Sequence, residues 1–142
     1  MGITKFRRKV VGNKADFKEQ VVVLKESLDA TSGAGTPASI SNPLGTRLIV
    51  TRVVVDITSP ISATPVEMNV GIGGSPYVAY DTLIDGLTVG TPTSADVYDN
   101  VDDQGTNGKS TEEWGASEYL TVTVTGTPTG MVGNIYVYYR EP

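Results

Sequence analysis

The segment Lys5-Phe6-Arg7-Arg8-Lys9 is a dense basic cluster with one aromatic ring. Basic side chains bind phosphate oxygens and an aromatic ring can stack on a base, so the segment has the chemistry for nucleic acid. The acidic remainder of the chain would repel a polyanion, which disfavours nucleic acid as a partner. We expect the cluster to dock on an acidic protein surface, and a merely solvated tail is the alternative.

The uneven division of charge supports that expectation. Residues 1–25 hold seven basic and two acidic side chains, a net charge of +5, whereas residues 26–142 hold four basic and fourteen acidic ones, a net charge of −10. A positive arm on a negative body can reach an acidic neighbour, including a second copy of the chain.

The acidic stretch Asp96–Asp103 (DVYDNVDD) offers the oxygen ligands that Ca²⁺ prefers. Its spacing does not match a calcium-binding EF-hand loop, because Val101 and Gln104 stand where an oxygen ligand and a glycine are needed. The sequence therefore favours an ordinary polar loop and predicts no metal and no cofactor, although calcium binding by this loop stays an open alternative.

Catalytic groups are scarce. The chain has no cysteine and no histidine, which removes thiolate nucleophiles and the commonest general base. The adjacent carboxylates Asp102/Asp103 and Glu112/Glu113 would point to opposite faces of a strand, so they do not form a glycosidase pair. The run GIGG at 71–74 lacks the lysine and the helix of a phosphate-binding loop. We predict that the protein is not an enzyme and assign no catalytic residue.

Aromatic side chains near the C-terminus are candidates for partner binding. Trp114 precedes the last two predicted strands, and Tyr136 and Tyr138 share the strand face opposite Ile135, Val137 and Tyr139. Tyrosine and tryptophan are enriched at binding hot spots, so we predict that Trp114, Tyr136 and Tyr138 contact a partner. The alternative for Trp114 is that it covers one end of the folded domain.

The elements that would position these residues are strands. Valine, threonine and tyrosine are abundant, and the 16 glycines and 8 prolines mark frequent turns. Strands are predicted at 20–25, at 46–58 and at 66–73. In the 46–58 strand the face Ile49, Thr51, Val53, Val55 and Ile57 is the predicted core face. Residues 77–84 predict a weaker strand or a transition to a loop.

Two further alternating runs, 118–126 and 131–140, are separated by a short connection with Pro128 and Gly130 and predict a hairpin. Their predicted inward faces are Leu120, Val122 and Val124 in the first run and Ile135, Val137 and Tyr139 in the second. Residues 29–45 predict a loop with little to bury, and 85–117 predict loops that hide two short strands.

These elements predict an all-β fold, an antiparallel β-sandwich of the jelly-roll type or another Greek key. Residues 1–19 form the predicted extended basic N-terminal arm, and residues 20–142 form the sandwich domain. No apolar run approaches the length needed to span a bilayer, so no membrane partner is expected.

Residues 81–142 resemble the C-terminal part of small β-sandwich virion structural proteins of tailed bacteriophages. The similarity is carried by Leu83-Ile84-Asp85-Gly86-Leu87, by Gly105-Thr106-Asn107-Gly108-Lys109, by Trp114, and by Gly130-Met131-Val132-Gly133-Asn134. The resemblance implies a capsid decoration or cement protein, a small domain, typically a trimer, that assembles in the host cytoplasm and sits on the capsid exterior.

The partner implied by the resemblance is the major capsid protein, which a decoration protein clamps and stabilises without catalysis. The alternative from a different class is a tail or head-fibre recognition module that binds a glycan or protein of the host surface. In that case the Asp- and Gly-rich loops and Trp114 would form the site.

Overall fold

The chain is described here from a computed structural model that covers residues 20–29, 35–59, 66–89, 96–125 and 131–142. Within these ranges all regular structure longer than a single turn is β-strand. None of the described residues belongs to a helix with the length and apolarity that a membrane crossing requires. The strands are β1 (Val22–Asp29), β2 (Ala38–Ser41), β3 (Leu48–Ser59), β4 (Val66–Gly73), β5 (Ile84–Val89), β6 (Asp96–Asp99), β7 (Glu112–Trp114), β8 (Tyr119–Thr125) and β9 (Val132–Arg140).

The strands form two antiparallel sheets that pack face to face, which confirms the predicted β-sandwich. Sheet A has the order β1-β9-β3-β6, and the short β7 pairs with the beginning of β3. Sheet B has the order β2-β8-β4-β5.

The pairing pattern is that of a jelly roll. With β7 set aside, the first strand pairs with the last, β2 with β8, β3 with β6 and β4 with β5. Each pair therefore joins two strands that would lie opposite each other in one long antiparallel hairpin. In a jelly roll this hairpin is folded so that its strands are shared between two sheets. Of the predicted alternatives, the jelly roll is the one that this strand order matches.

The core lies between the sheets and is built from alternating residues of both. The last two strands confirm their predicted inward faces, because Leu120, Val122 and Val124 of β8 and Ile135, Val137 and Tyr139 of β9 are all buried. Burial of large aliphatic side chains at alternate positions is what a half-buried strand requires.

The predicted core face of β3 is only half right. Val53, Val55 and Ile57 are buried as predicted, but at the start of the strand Leu48 and Val50 are buried and Ile49 is only partly so. The register against β9 shifts between Val50 and Arg52, which is a β-bulge. A bulge adds one residue to one strand and moves the inward positions from even to odd numbers.

The predicted hairpin between the last two runs is wrong. β8 pairs with β2 and β4 in sheet B, whereas β9 pairs with β1 and β3 in sheet A. The two strands follow each other in sequence but belong to opposite sheets, because a jelly roll passes repeatedly from one sheet to the other.

Two loop predictions also need correction. Residues 29–45 contain β2, whose Ala38 and Ile40 are buried against β8, so this segment contributes to the core. Residues 85–117 contain β6, β7 and all but the first residue of β5, which is three strands where two were predicted. Residues 77–83 form a loop, which resolves the open alternative for that stretch.

The segment 74–83 folds back over the outer face of sheet B. The Thr121 hydroxyl donates a hydrogen bond to the Val78 carbonyl at 2.9 Å, and the Ser75 amide donates to the Tyr80 hydroxyl oxygen at 3.0 Å. A Cβ at Gly71 would lie 2.6 Å from the Tyr80 carbonyl oxygen, so only glycine allows this close approach. As a result, Thr121 is buried although it points away from the core, and Thr123 on the same face of β8 is buried as well.

Candidate binding face

Sheet A presents the candidate site on its outer face, since no described segment crosses it as 74–83 crosses sheet B. Along β9 the side chains of Ile135, Val137 and Tyr139 point to the core, which leaves Tyr136 and Tyr138 pointing outward. Both tyrosine side chains are half-buried by their neighbours and present the rest of their rings outward. β9 lies between β1 and β3, so the two rings stand in the middle of the sheet. We call this surface the sheet A face.

The neighbours of the two tyrosines follow from the strand register. On the β1 side, Val23 lies opposite Tyr138 and Lys25 opposite Tyr136. The Lys25 ammonium group is 5.8 Å from the centre of the Tyr136 ring, within the range of a cation–π interaction.

On the β3 side, Arg52 lies opposite Tyr138 and Val54 opposite Tyr136. Each ring therefore has one valine and one basic residue as its cross-strand neighbours, counting both sides. Apolar contacts on such a face help to hold the rings in position.

Exposed valines extend the apolar part of this face to its margins. Val23 on β1, Val97 on β6 and Val132 at the start of β9 are each about half exposed. Their cross-strand partners place them on the same side of the sheet as the tyrosines. A sheet face with aromatic residues at its centre and valines around them is a surface suited to contact another protein.

One ion pair ties β3 to β6 on this face. Arg52 Nη2 lies 2.8 Å from Asp99 Oδ2, and Asp99 Oδ1 accepts hydrogen bonds from the Val101 and Asp102 amides. The hydrogen bond from Arg52 is the main cause that lowers the pKa of the Asp99 carboxyl group, and the two amides lower it further. Burial of the carboxyl group raises that pKa, but the hydrogen bonds lower it by more.

This pair predicts a pH-dependent effect. Because the pKa of Asp99 is lower in the folded protein than its ordinary value of 3.8, the pair stabilises the fold above that value and the contribution is lost as pH falls below it. Arg52→Gln should lower the free energy of unfolding at neutral pH by roughly 0.5 kcal/mol, since the arginine is half exposed and screened by water.

The difference between Arg52→Gln and the parent protein should then shrink as pH falls from 3.8 through the lowered pKa of Asp99, measured by urea unfolding at pH 7 and at pH 2. Arg47→Gln is the matched control, because both members of the Arg47–Glu113 pair are more than half exposed. An equal deficit at both pH values would contradict the role of Asp99 ionisation.

Trp114 is the clearest correction to the predicted site residues. Its side chain is completely buried between the sheets, and its indole N–H donates a hydrogen bond to the Glu118 carbonyl at 3.1 Å. The ring packs edge-to-face on Tyr139, with 6.4 Å between centroids. A buried ring offers no surface to a sugar or a protein, so Trp114 is a core residue, which agrees with the alternative considered for it.

The loop that follows β6 uses its carboxylates within the chain. Asp99 caps the turn and binds Arg52, while Asp103 Oδ2 accepts a hydrogen bond from the Asp99 amide at 3.0 Å. In the described ranges no three or more acidic side chains are grouped as a metal site requires. These contacts fit the polar-loop interpretation of Asp96–Asp103.

An open cleft lies on the opposite side of the molecule, at the edge of the covered sheet B. It has a volume of about 380 Å³ and is lined by Glu67, Asn69, Tyr80, Asp81 and Asp85, with Ala79 and Gly86. Asp85 is already engaged, because its Oδ2 accepts hydrogen bonds from the Asn107 amide and side chain. The cleft is acidic and polar, in contrast to the sheet A face.

Sequence reasoning found the tyrosines of the site but missed their neighbours. The alternation in β9 shows that Tyr136 and Tyr138 share a face, and the structure confirms it. Val23, Lys25 and Arg52 come from other strands, and only the strand register places them beside the rings.

The basic cluster Lys5, Phe6, Arg7, Arg8 and Lys9 lies outside the described residues, so its predicted contact with a partner remains a prediction. Comparison with known proteins finds no matching family model, no matching curated protein and no matching solved structure. The site must therefore be interpreted from its own geometry.

Proposed function

We propose that this protein is a bacteriophage capsid decoration protein that binds the assembled shell through the sheet A face and stabilises it without catalysis. The observation that carries the proposal is the outward pair Tyr136 and Tyr138 at the centre of an uncovered sheet. The expected partner is the major capsid protein, and the expected location is the exterior of the virion.

The shape of the surface supports a protein partner. Small molecules bind in concave, mostly apolar pockets, whereas the sheet A face is a sheet surface with two central rings and half-exposed valines. Tyrosine rings combine a large apolar area with a polar tip, and they are among the residues that contribute most to protein interfaces.

The fold supports a virion structural protein by analogy. Jelly rolls occur in viral capsid proteins and in lectins, so this architecture is compatible with both a shell protein and a glycan-binding protein. The resemblance of residues 81–142 to phage virion structural proteins favours the first of these.

The mechanism is thermodynamic linkage. A protein that binds the assembled shell but not free capsid subunits shifts the equilibrium towards assembly by its binding free energy. In this proposal the sheet A face supplies the main contact, and the basic cluster Lys5–Lys9 adds an electrostatic contact with an acidic patch of the shell.

The test uses empty shells of the parent phage made without this protein. Shells are mixed with the double variant Tyr136→Ser/Tyr138→Ser or with the unchanged protein, and bound protein is quantified by co-sedimentation. Loss of two hot-spot rings should weaken binding by about 100-fold or more. Because the rings point away from the core, the double variant should remain folded, which its melting temperature checks.

Tyr77→Ser is the matched control. Tyr77 is 74% exposed but lies in the loop that covers sheet B, so its loss should leave shell binding unchanged. Unaltered binding of the double variant would refute the assignment of the sheet A face. Failure of the parent protein to bind shells, or to raise their resistance to heat, would refute the function itself.

The second candidate is a host-recognition module, and the acidic cleft beside Tyr80 favours it. Carboxylates and an aromatic ring are common in sugar sites, and Asp81 lines this cleft. A glycan array separates the candidates: a recognition module should bind glycans and lose binding in Asp81→Asn, whereas a decoration protein should bind shells and no glycan.

A further inference from the structure

Asn107 and Gly108 form the one Asn-Gly dipeptide of the sequence, in the loop between β6 and β7. An asparagine in this position can modify itself, because the backbone nitrogen of the next residue can attack the carbonyl carbon of the asparagine side chain. The attack is least hindered when the next residue is glycine, which has no side chain. The dipeptide is therefore a candidate site for a covalent change that needs no enzyme.

The structure leaves the reacting groups of this dipeptide accessible. Asn107 lies in a turn and is exposed to solvent. Among the residues that the structure describes, none accepts a hydrogen bond from the Gly108 amide. The attacking nitrogen is therefore not held by a backbone partner, as it would be inside a strand or a helix.

A second dipeptide of related chemistry, Asp85-Gly86, lies directly beside the first and is protected. Aspartate before glycine can undergo the same ring closure. The Gly86 amide, however, donates a hydrogen bond to the Asn69 side-chain oxygen at 2.8 Å, so its nitrogen is engaged. The structure thus distinguishes two dipeptides that the sequence alone makes similar.

Both residues of the Asn-Gly dipeptide have a structural role in the loop. A Cβ at Gly108 would overlap the carbonyl oxygens of Gln104 and Leu83, so only glycine fits there. Asn107 donates two hydrogen bonds to Asp85 Oδ2, from its backbone amide at 3.0 Å and from its side-chain Nδ2 at 2.8 Å. The loop therefore depends on the same two residues that make it reactive.

We propose that Asn107 is a site of spontaneous deamidation in the folded protein and that Asp85 sets the rate. In the first step the Gly108 nitrogen gives up its proton and bonds to Asn107 Cγ. The Cγ–Nδ2 bond breaks with its electron pair on Nδ2, which takes up a proton and leaves as ammonia. In the second step water adds to either carbonyl group of the succinimide ring and opens it, which gives aspartate or isoaspartate.

Asp85 slows the first step because it holds the group that reacts. The side-chain amide of Asn107 must be free to turn towards the Gly108 nitrogen, and the hydrogen bond from Nδ2 to Asp85 restrains it. This bond lies at an exposed position, where water competes for both partners, so its net contribution is modest. Breaking it should slow the reaction by roughly tenfold relative to an unfolded chain.

The product would change the loop and the cleft beside it. Either isomer replaces the Nδ2 donor with a carboxylate that faces the Asp85 carboxylate, and like charges repel. Isoaspartate also adds a methylene group to the main chain next to Gly108, which is packed against neighbouring carbonyl groups. Because Asp85 lines the cleft at the edge of sheet B, deamidation would loosen one wall of that cleft as the protein ages.

Peptide mass spectrometry of the folded protein after incubation at pH 8 tests the site. The peptide that contains Asn107 should convert to two products of equal mass, with isoaspartate in excess over aspartate, and no isoaspartate should form at Asp85. Asn107→Gln is the matched control, because it keeps an amide donor but would have to close a larger ring that forms more slowly. The other asparagines of the described ranges should stay unchanged and are internal controls: Asn42, Asn69, Asn100 and Asn134.

The rate tests the role of Asp85. The parent protein unfolded in urea gives the reference, and the folded protein should react roughly tenfold more slowly. Asp85→Ser should recover most of that difference while its melting curve still shows a folded protein; Asp85→Asn is avoided because it would create a second Asn-Gly dipeptide. Asp81→Ser removes a carboxylate elsewhere in the same cleft, so it should leave the rate unchanged.

Three results would overturn the proposal. The first is an unmodified Asn107 in the folded protein after a time in which the unfolded chain is fully converted. The second is aspartate without isoaspartate, which would indicate direct hydrolysis of the amide without a ring. The third is an unchanged rate in folded Asp85→Ser, which would remove Asp85 from control of the reaction. None of these results bears on shell binding through the sheet A face.

Discussion

Replacing Trp114 with alanine should lower the free energy of unfolding by about 3–5 kcal/mol, the largest loss expected from any single truncation in this core. Trp114 is the largest of the fully buried side chains. It stands on the short strand β7 opposite Leu48, and its ring meets the edge of Tyr139 from β9. Its removal would leave a cavity where β3, β7 and β9 meet.

The indole also holds the turn that leads into β8. Its N–H donates to the Glu118 carbonyl at 3.1 Å, and the Glu118 carboxylate accepts a hydrogen bond from the Gly115 amide at 2.6 Å. Trp114→Phe keeps most of the apolar volume but loses the N–H, so it should cost clearly less than the alanine variant.

The measurement is the midpoint of urea unfolding together with the melting temperature. A loss of 3–5 kcal/mol corresponds to roughly 10 °C or more for a domain of this size. Tyr77→Ala, at a site 74% exposed, is the control and should change stability by less than about 0.5 kcal/mol. Equal stability of the Trp114→Ala and Tyr77→Ala variants would contradict the core role of the indole.

Replacing Asn100 should have the second largest effect. Asn100 is fully buried after β6, and its Oδ1 accepts a hydrogen bond from the Val53 amide at 2.7 Å. Its Nδ2 donates to the Lys109 and Ser110 carbonyls at 2.8 and 2.9 Å. One amide side chain therefore joins β3 to the loop that precedes β7.

Asn100→Ala should cost about 2–4 kcal/mol, because it leaves one buried donor and two carbonyls without their partner. Asn100→Asp should cost more at neutral pH, since a buried carboxylate would face two carbonyl oxygens. Both effects would be read from urea unfolding curves, with Asn107→Ala at an exposed site as the control, expected to cost less than about 1 kcal/mol.

The pH dependence of Asn100→Asp gives a sharper test. Burial and the facing carbonyls should raise the pKa of the new carboxyl group in the folded state above its unfolded value. Protonation then favours the fold, so the variant should recover stability relative to the parent protein as pH falls from 7 towards 4. A deficit that does not shrink over this range would show that the site admits water.

The two sheets differ in what covers their outer faces. The outer face of sheet B is closed by residues 74–83, which bond to Thr121 and approach Gly71. The outer face of sheet A carries Tyr136 and Tyr138 without such a cover among the described residues. Variants of these tyrosines should therefore test binding without the loss of stability expected for Trp114 and Asn100.

The amino-acid sequence alone determined the type of the elements and the inward faces of the last two strands. Alternation in β9 separates Val137 from Tyr136 and Tyr138 without any knowledge of the fold, because neighbouring side chains of a strand point to opposite faces. The excess of β-branched residues and of turn residues likewise predicts strands and a sandwich.

The tertiary structure decided everything that depends on which strands are neighbours. The β-bulge at Thr51 reversed which residues are buried in the first part of β3. β8 and β9 lie in opposite sheets, where a hairpin was predicted. Trp114 became buried because β7 pairs with β3 and directs its ring at Tyr139. A pattern with period two is a local property of one strand, whereas register and sheet membership arise from hydrogen bonds between residues far apart in the chain.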